Sequence, residues 1–330
     1  MRRRKDIDQL RGVAILLMVM VHSAATWAPS DASTTSFLAL IIGGLGGLAA
    51  PLFVTVGGWV TVQSKWTLRK ALIRFVFLYA AQILVNISAP QRFDPFSPGV
   101  LTLFALLYLT APLWVRISKN IRATILVGVG IITLNQILLS GHEALDWDDR
   151  TFVGSLLEHV KHLLLTGTYP LLPWILFSLF GASLNNFNPS RRTLLILGFA
   201  GFSISAYFLY KSIQEKIPFA QPSGGAMLTF FPANTAFLIA ALTGVLLIWA
   251  MLENRNSKIG IHHLGRLSLT LYVVHFIPLS IFANLNLGLS SASVLVLGYT
   301  LLWWPLSLVH QRLSPTRSLE NMLRSITQQR

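Results

Sequence analysis

The chain reads as a succession of apolar runs separated by short polar connections that hold most of the charge. Each run is roughly 18–22 residues long, enough for a helix rising 1.5 Å per residue to cross a hydrocarbon core of about 30 Å. Ten runs are distinguished, over 10–28, 37–62, 71–89, 99–117, 122–140, 163–184, 193–210, 231–252, 265–283 and 291–311. They predict an all-α polytopic membrane protein of about ten transmembrane helices. One transmembrane domain covers 1–311, and a basic tail over 312–330 is placed on the cytoplasmic leaflet. The second run is long for one span, and its GGLGGLAAP stretch (43–51) predicts an irregular or broken helix. No internal repeat, soluble appendage or low-complexity segment is visible.

Composition sharpens this picture. Of 330 residues, 53% are hydrophobic and 12% charged, with a mean hydropathy of +0.62. A soluble domain carries about 25% charged residues, so a soluble enzyme, a disordered chain and a coiled coil are excluded. The net charge of +14 would point to nucleic acid in a soluble protein. Here the positive-inside rule accounts for it. With the N-terminus in the cytoplasm and the spans alternating, 21 of the 26 Lys and Arg fall inside; Arg92, Arg150, Lys161, Lys211 and Lys216 fall outside. Both termini are thus expected to be cytoplasmic, with no nucleic-acid partner. MRRRK and the apolar run after it have the outline of a signal peptide. Asp6, Asp8 and Arg11 interrupt that outline, and a retained first helix fits better. There is no cysteine, hence no disulfide, thiolate metal site or cysteine nucleophile. Acids crowd the outer connections: Asp31, Asp94, Glu143, Asp146, Asp148, Asp149, Glu158 and Glu215. They are either a solvated face or an acceptor-binding surface.

Ionisable residues inside a span are costly and therefore candidates for function. Arg11 and His22 in the first run are eleven residues apart, about three turns, which puts them on one helix face about 16 Å apart along the axis. Asp8 lies near the same stripe, placed to orient the guanidinium. A bundle-facing His is either a structural hydrogen-bonder or a general base. Tyr272 and His275 lie about one turn apart in the ninth run; His275 either hydrogen-bonds His22 or joins another helix.

The text DQLRGVAILLMVMVH (8–22), an Arg and a His separated by ten residues with an Asp three before the Arg, resembles the membrane acyltransferase-3 group. PLFVTVGGW (51–59) and YPLLPWILFSLFGASL (169–184) resemble the heparan-α-glucosaminide N-acetyltransferase-like membrane proteins, and LGRLSLTLYVVH (264–275) resembles a late-helix signature of both. The resemblance implies an integral membrane acyltransferase in a bacterial inner (plasma) membrane. Such an enzyme takes an acyl group, commonly acetyl, from cytoplasmic acyl-CoA to an extracytoplasmic glycan or small-molecule acceptor with a hydroxyl or amine. It implies that His22 is catalytic, with Arg11 and Asp8 beside it. In the glucosaminide branch the position of His22 is usually Asn, and a His in the following loop is catalytic. Here that loop, SAATWAPSDASTTS (23–36), has no His.

The chemistry of the residues agrees. Attack on a thioester needs a base of near-neutral pKa and donors for the oxyanion; the backbone near Gly57–Gly58 and the Asn86 amide are the candidates. An anionic CoA needs a basic mouth. KWTLRKALIR (65–74) offers Arg69, Lys70 and Arg74, and Arg266 adds a charge at the same face, unless these are ordinary positive-inside charges. Trp174, directly after Pro173 and close to Pro170, is a candidate with Tyr272 and His275 for the acceptor channel, or a kink and anchor. No metal is expected. His159 and His162, with His142 nearby, read as interfacial rather than as a metal pair, and His262–His263 as solvated. Asn135 and Gln136 read as interhelical glue. Lipid and a homodimer are admitted as partners. The alternative class is a multi-span transporter of an anionic or lipid-linked solute.

Overall fold

A computed structural model describes residues 4–29, 36–139, 145–255 and 259–328. Asp31, His142 and Glu143, singled out by sequence, lie outside the described residues. The helices in chain order are α1 (Lys5–Trp27), α2 (Phe37–Gly46), α3 (Ala49–Thr61), α4 (Leu68–Ser88), α5 (Val100–Leu109), α6 (Ala111–Ile117), α7 (Ile121–Leu139) and α8 (Trp147–Thr151). Then come α9 (Leu156–Lys161), which runs into a π turn over His162–Thr166, α10 (Leu171–Phe187), α11 (Arg191–Glu215) and α12 (Thr235–Leu252). The last are α13 (His262–Arg266), α14 (Ser268–Val274), α15 (Phe276–Ile281), α16 (Leu289–Leu313) and α17 (Leu319–Gln328). A small parallel pair, β1 (Ala220–Ser223) and β2 (Leu228–Phe231), lies between α11 and α12.

The chain is an all-helical integral membrane protein. Among the described residues seven helices are long and apolar enough to cross a membrane, or nine when each of two bent pairs counts as one span. Side-chain caps start several of them where the polar connections end. The Thr67 hydroxyl accepts from Lys70 N, Ser190 from Thr193 N and Asn234 from Phe237 N.

Departures from ten plain spans have local causes. The second run is interrupted at Gly47–Leu48, between α2 and α3, after its glycines, yet Phe37–Thr61 still counts as one span. The fourth breaks at Thr110, with Pro112 in the first turn of α6, and bends by 74°. The sixth is two pieces, 156–166 and 171–187, bent by 45°. The ninth, expected over 265–283, is the three short helices α13, α14 and α15. Pro278 lacks an N–H and its ring clashes with the carbonyl four residues back, so α14 cannot run on unbroken. The joint falls at His275, which is both C-cap of α14 and N-cap of α15.

Small residues bring backbones together where hydrophobic driving force is absent. A Cβ on Gly181 of α10 would lie 1.8 Å from Thr55 O of α3, and one on Gly58 of α3 would lie 2.2 Å from Ser178 O. Gly58 is thus a helical residue of a tight α3–α10 contact and Gly57, on the same helix, faces Phe104 of α5, so the reading of this backbone as a donor for an oxyanion is corrected. α7 and α11 have little of their length buried, and their exposed Leu126, Ile137, Phe199 and Phe202 form an apolar outer surface.

Contacts sort the helix ends into two groups. At one end Arg4 meets Glu253, Arg191 donates to Ala250 O, Asn186 to Ser118 and Gln311 to His263 O, while Glu320 meets Leu269 and Thr270. This basic end holds the start of α1, the end of α16 and the helix α17. At the opposite end Trp27 donates to Phe282 O, Arg92 to Ala25 O, Trp147 to Arg92 O and Ser280 to Gln91.

Candidate active site

The first cluster is at the basic end. The Asp8 carboxylate is buried and meets Arg11 at 3.6 Å and Arg266 at 3.7 Å. α13 brings Arg266 there: a Cβ on Gly265 would lie 1.8 Å from Asp8 O, so only glycine permits this approach. Arg4 pairs with Asp6 at 2.5 Å and Glu253 at 3.7 Å and lies over the Trp59 ring, tying α1 to α3 and α12. Those side-chain bonds and charges outweigh burial and raise the Arg4 pKa above its usual value.

Arg69, Lys70 and Arg74 open α4 at the same end. Arg74 lies 4.7 Å from the Tyr108 ring centroid, a cation–π contact, and Trp66 donates to Tyr108 O. Lys70 is half-buried and Arg69 exposed. Arg74 and Tyr108 form a cluster separate from the Asp8–Arg11–Arg266 group.

The second cluster lies three turns along α1. His22 Nδ1 and His275 Nε2 are 2.9 Å apart. The ring planes differ by 14° with centroids 5.2 Å apart, so the imidazoles meet edge to edge. Of the two possibilities the sequence left open for His275, the structure shows the bond to His22. His275 is fully buried, and its Nδ1 faces Tyr272 O at 2.8 Å and Leu271 O at 3.1 Å. A nitrogen between two carbonyl oxygens carries the proton. His275 Nε2 is then an acceptor, His22 Nδ1 donates to it, and His22 Nε2 is left with a free lone pair. The hydrogen-bond network thus assigns both tautomers. Phe276 packs on His22 at 5.0 Å, and Tyr272 stands 5.9 Å from His275, ring to ring. The His275 ring folds back on its own helix, so that Nδ1 meets the carbonyls three and four residues earlier, Leu271 O also accepting the His275 backbone N–H at 3.1 Å.

Other expectations fare differently. Trp174 is fully buried among Tyr169, Phe177, Phe230 and Phe237, which makes it core between α10 and α12. The Asn86 amide donates both hydrogens, to Pro95 O at 3.0 Å and Ser97 O at 2.9 Å, and accepts from Gln82. It fixes the 89–99 connection and has nothing left for an oxyanion. His159 bonds Tyr79, and His162 bonds Thr166 Oγ1 at 2.8 Å and Phe152 O at 3.1 Å; both are buried and hydrogen-bonded within the protein. His263 bonds Gln311 at 2.6 Å and His262 stacks beside it, half-buried, so this pair holds α13 to α16 instead of being solvated. Burial, and then the neighbouring His263, hold His262 below the usual imidazole range. Asn135 donates to Ala233 O and Gln136 accepts from Thr235, the expected glue. Among the described residues no three His, Asp or Glu gather as a metal site.

The outer acids are not simply solvated. Asp146 and Asp149 form a capping box on α8, Glu158 accepts from Gly154 N, and Asp94 accepts from Val153 N. Sequence reasoning missed Arg92, counted only as an outer charge, and Glu320 of the tail. Glu320 accepts from Leu269 N at 2.6 Å, Thr270 N at 3.2 Å and Thr270 Oγ1 at 2.7 Å, capping α14. The signal available for each was a lone charge whose sign differs from its neighbours'.

With this geometry in hand, comparison with known proteins adds one finding. The family model described as heparan-alpha-glucosaminide N-acetyltransferase, catalytic, matches residues 3–206. The match covers Asp8, Arg11, His22, the basic start of α4 and Arg92, and ends before Arg266, Tyr272 and His275. No curated protein matches the chain.

Proposed function

Because the chain belongs to the heparan-alpha-glucosaminide N-acetyltransferase catalytic family, we propose that it is a membrane acyltransferase that moves an acetyl group from acetyl-CoA, bound at the basic end, to a hydroxyl or amine acceptor reaching in from the opposite end. The basic end faces the cytoplasm of a bacterial inner membrane in this reading, supported by the 21 Lys and Arg that the alternating spans put on that side. The observation that carries it is the His22–His275 pair, 2.9 Å apart, with the His22 Nε2 lone pair free.

Arg11, Arg266, Arg69, Lys70 and Arg74 hold the CoA phosphates. Asp8 keeps two of these guanidinium groups in place across α1 and α13. Helix rise separates Arg11 from His22 by about 16 Å, a span for an extended pantetheine arm. The acceptor's oxygen or nitrogen attacks the thioester carbonyl while His22 Nε2 takes its proton. Collapse of the tetrahedral adduct breaks the C–S bond, and the CoA sulfur receives that proton from the imidazolium. His275 Nε2 accepts from His22 Nδ1 throughout and stabilises the charged ring. The packed bundle excludes water, favouring transfer over hydrolysis.

The test uses the purified full chain with acetyl-CoA and glucosamine, read as CoA release and acetylated product. His22→Ala should lower kcat by about 10²–10⁴-fold and leave the KM for acetyl-CoA nearly unchanged. Near-normal turnover in a folded His22→Ala protein overturns the reading.

A further inference from the structure

At the opposite end, Thr26, Gln91, Arg92, Trp147, Ala283 and Asn284 line a partly open cavity of about 370 Å³. That volume is in the range of small-ligand sites. It lies about one turn of α1 from the histidine pair: Thr26 Oγ1 donates to the His22 backbone carbonyl, and Arg92 is within electrostatic reach of the His22 ring.

The walls are held from outside. Trp147 donates to Arg92 O at 3.1 Å, and its ring is fixed edge-on against Phe231 at 5.1 Å and tilted against Phe93 at 5.8 Å. Gln91 accepts from Ser280 at 3.1 Å. The cavity thus combines an indole, two carboxamides, a hydroxyl and one guanidinium, a lining suited to a polyhydroxylated ring.

The guanidinium is the informative member. One of its nitrogens donates to Ala25 O at 2.8 Å and Thr26 Oγ1 at 3.4 Å. Among the described residues it has no other hydrogen bond and no carboxylate partner. Acids are plentiful in the surrounding connections, yet Asp94, Asp146, Asp149 and Glu158 are spent on backbone N–H groups. Arg92 is half-buried, and burial lowers its pKa from the usual arginine value. A half-buried cation without a counter-charge is costly and is retained where a ligand supplies the anion.

Resting on the acyltransferase reading, we infer that this cavity is the acceptor site and that the acceptor carries an anionic substituent, a phosphate or carboxylate, held by Arg92 while its hydroxyl or amine points inward to His22 Nε2. Arg92 is the specificity-determining residue, and Trp147 and the carboxamides of Gln91 and Asn284 hold the ring.

The experiment compares two probes that differ by one anionic group, glucosamine and glucosamine 6-phosphate, on the full chain in detergent. In wild type, kcat/KM for glucosamine 6-phosphate should exceed that for glucosamine by roughly 10–100-fold, the worth of a charge-assisted bidentate contact. Arg92→Gln should bring the ratio close to one, and Arg92→Lys should keep part of it. Equal use of the two probes by wild type, or an undiminished ratio in Arg92→Gln, overturns the proposal. Binding is read separately as thermal stabilisation of His22→Ala, which is not required to turn over. Glucosamine 6-phosphate should raise its Tm more than glucosamine does, and adding Arg92→Gln should remove the difference. Stabilisation by phosphatidylglycerol but not by the sugar phosphate would mean a lipid headgroup site, and the proposal fails. The two readings fail differently. Absence of acetyl transfer to any acceptor, with the Arg92-dependent Tm shift intact, removes the acyltransferase reading alone. Transfer without any Arg92-dependent discrimination removes this one alone.

Discussion

Replacing His275 by Phe keeps an aromatic ring, somewhat larger, and removes both the Nε2 acceptor and the Nδ1 donor. The side chain is fully buried, and Tyr299 holds the backbone carbonyl at 2.6 Å whichever ring is present. What is lost is the 2.9 Å bond from His22 Nδ1 and the bond from His275 Nδ1 to Tyr272 O and Leu271 O. The His22 N–H is then orphaned in the bundle, the ring is free to adopt the other tautomer, and the imidazolium formed during proton transfer has no acceptor. A hydrogen bond to a group that becomes charged contributes about 1.5–3 kcal/mol, so kcat should fall roughly 10–150-fold. The KM for acetyl-CoA should hardly change, because the phosphates are held at the other end of α1. The assay is CoA release at saturating acceptor in matched detergent, with Tm measured on each variant. His275→Gln, which keeps an acceptor oxygen, should recover part of kcat and guards against a folding defect in His275→Phe. The double variant His22→Ala, His275→Phe should be no slower than His22→Ala, since an orienting residue acts only through the base it orients. A His275→Phe enzyme within about twofold of wild-type kcat, or a double variant slowed by the product of the two single effects, refutes the relay.

The general architecture was legible because lipid imposes a simple rule: backbone polar groups must be satisfied within the segment, so long apolar runs are helices. Hydropathy therefore located α1, α4, α7, α11, α12 and α16 closely. Run length does not report breaks. Residues 265–283 read as one span, but they form three short helices, with Pro278 just past a joint that falls at His275. Helical spacing placed Arg11 and His22 on one stripe of α1, since both lie on one regular element. The pairings of Asp8 with Arg266 and of Arg92 with the end of α1 join residues 258 and 67 positions apart, which no local period reports. Gly58 was read as backbone for an oxyanion when it serves close approach, as Gly181 and Gly265 do, because a missing Cβ looks the same in sequence for either purpose. Trp174 lay in a motif and looked functional, but its position is decided by the aromatic residues of β2 and α12, far along the chain.

Three further expectations follow from the same geometry. Joint neutralisation, Lys70→Gln with Arg74→Gln, should raise the KM for acetyl-CoA roughly tenfold with kcat little changed, since phosphate binding is uniform along the reaction; an unchanged KM returns these charges to topology alone. A reporter fused after Arg330 should be active only in the cytoplasm, and activity on the far side would reverse every loop assignment. The tail should also matter to the chemistry it never touches. Glu320 accepts from the Leu269 and Thr270 N–H groups and the Thr270 hydroxyl, which are the orphan donors at the start of the helix that ends in His275. Loss of such a cap costs about 0.5–2 kcal/mol. Glu320→Ala should therefore increase amide hydrogen exchange across 268–281 and lower kcat several-fold, with the KM for acetyl-CoA steady and Glu320→Gln intermediate. If exchange in that segment stays at the wild-type level while kcat falls, Glu320 acts by some route other than α14. If exchange rises and kcat does not move, the seating of His275 is not what limits turnover.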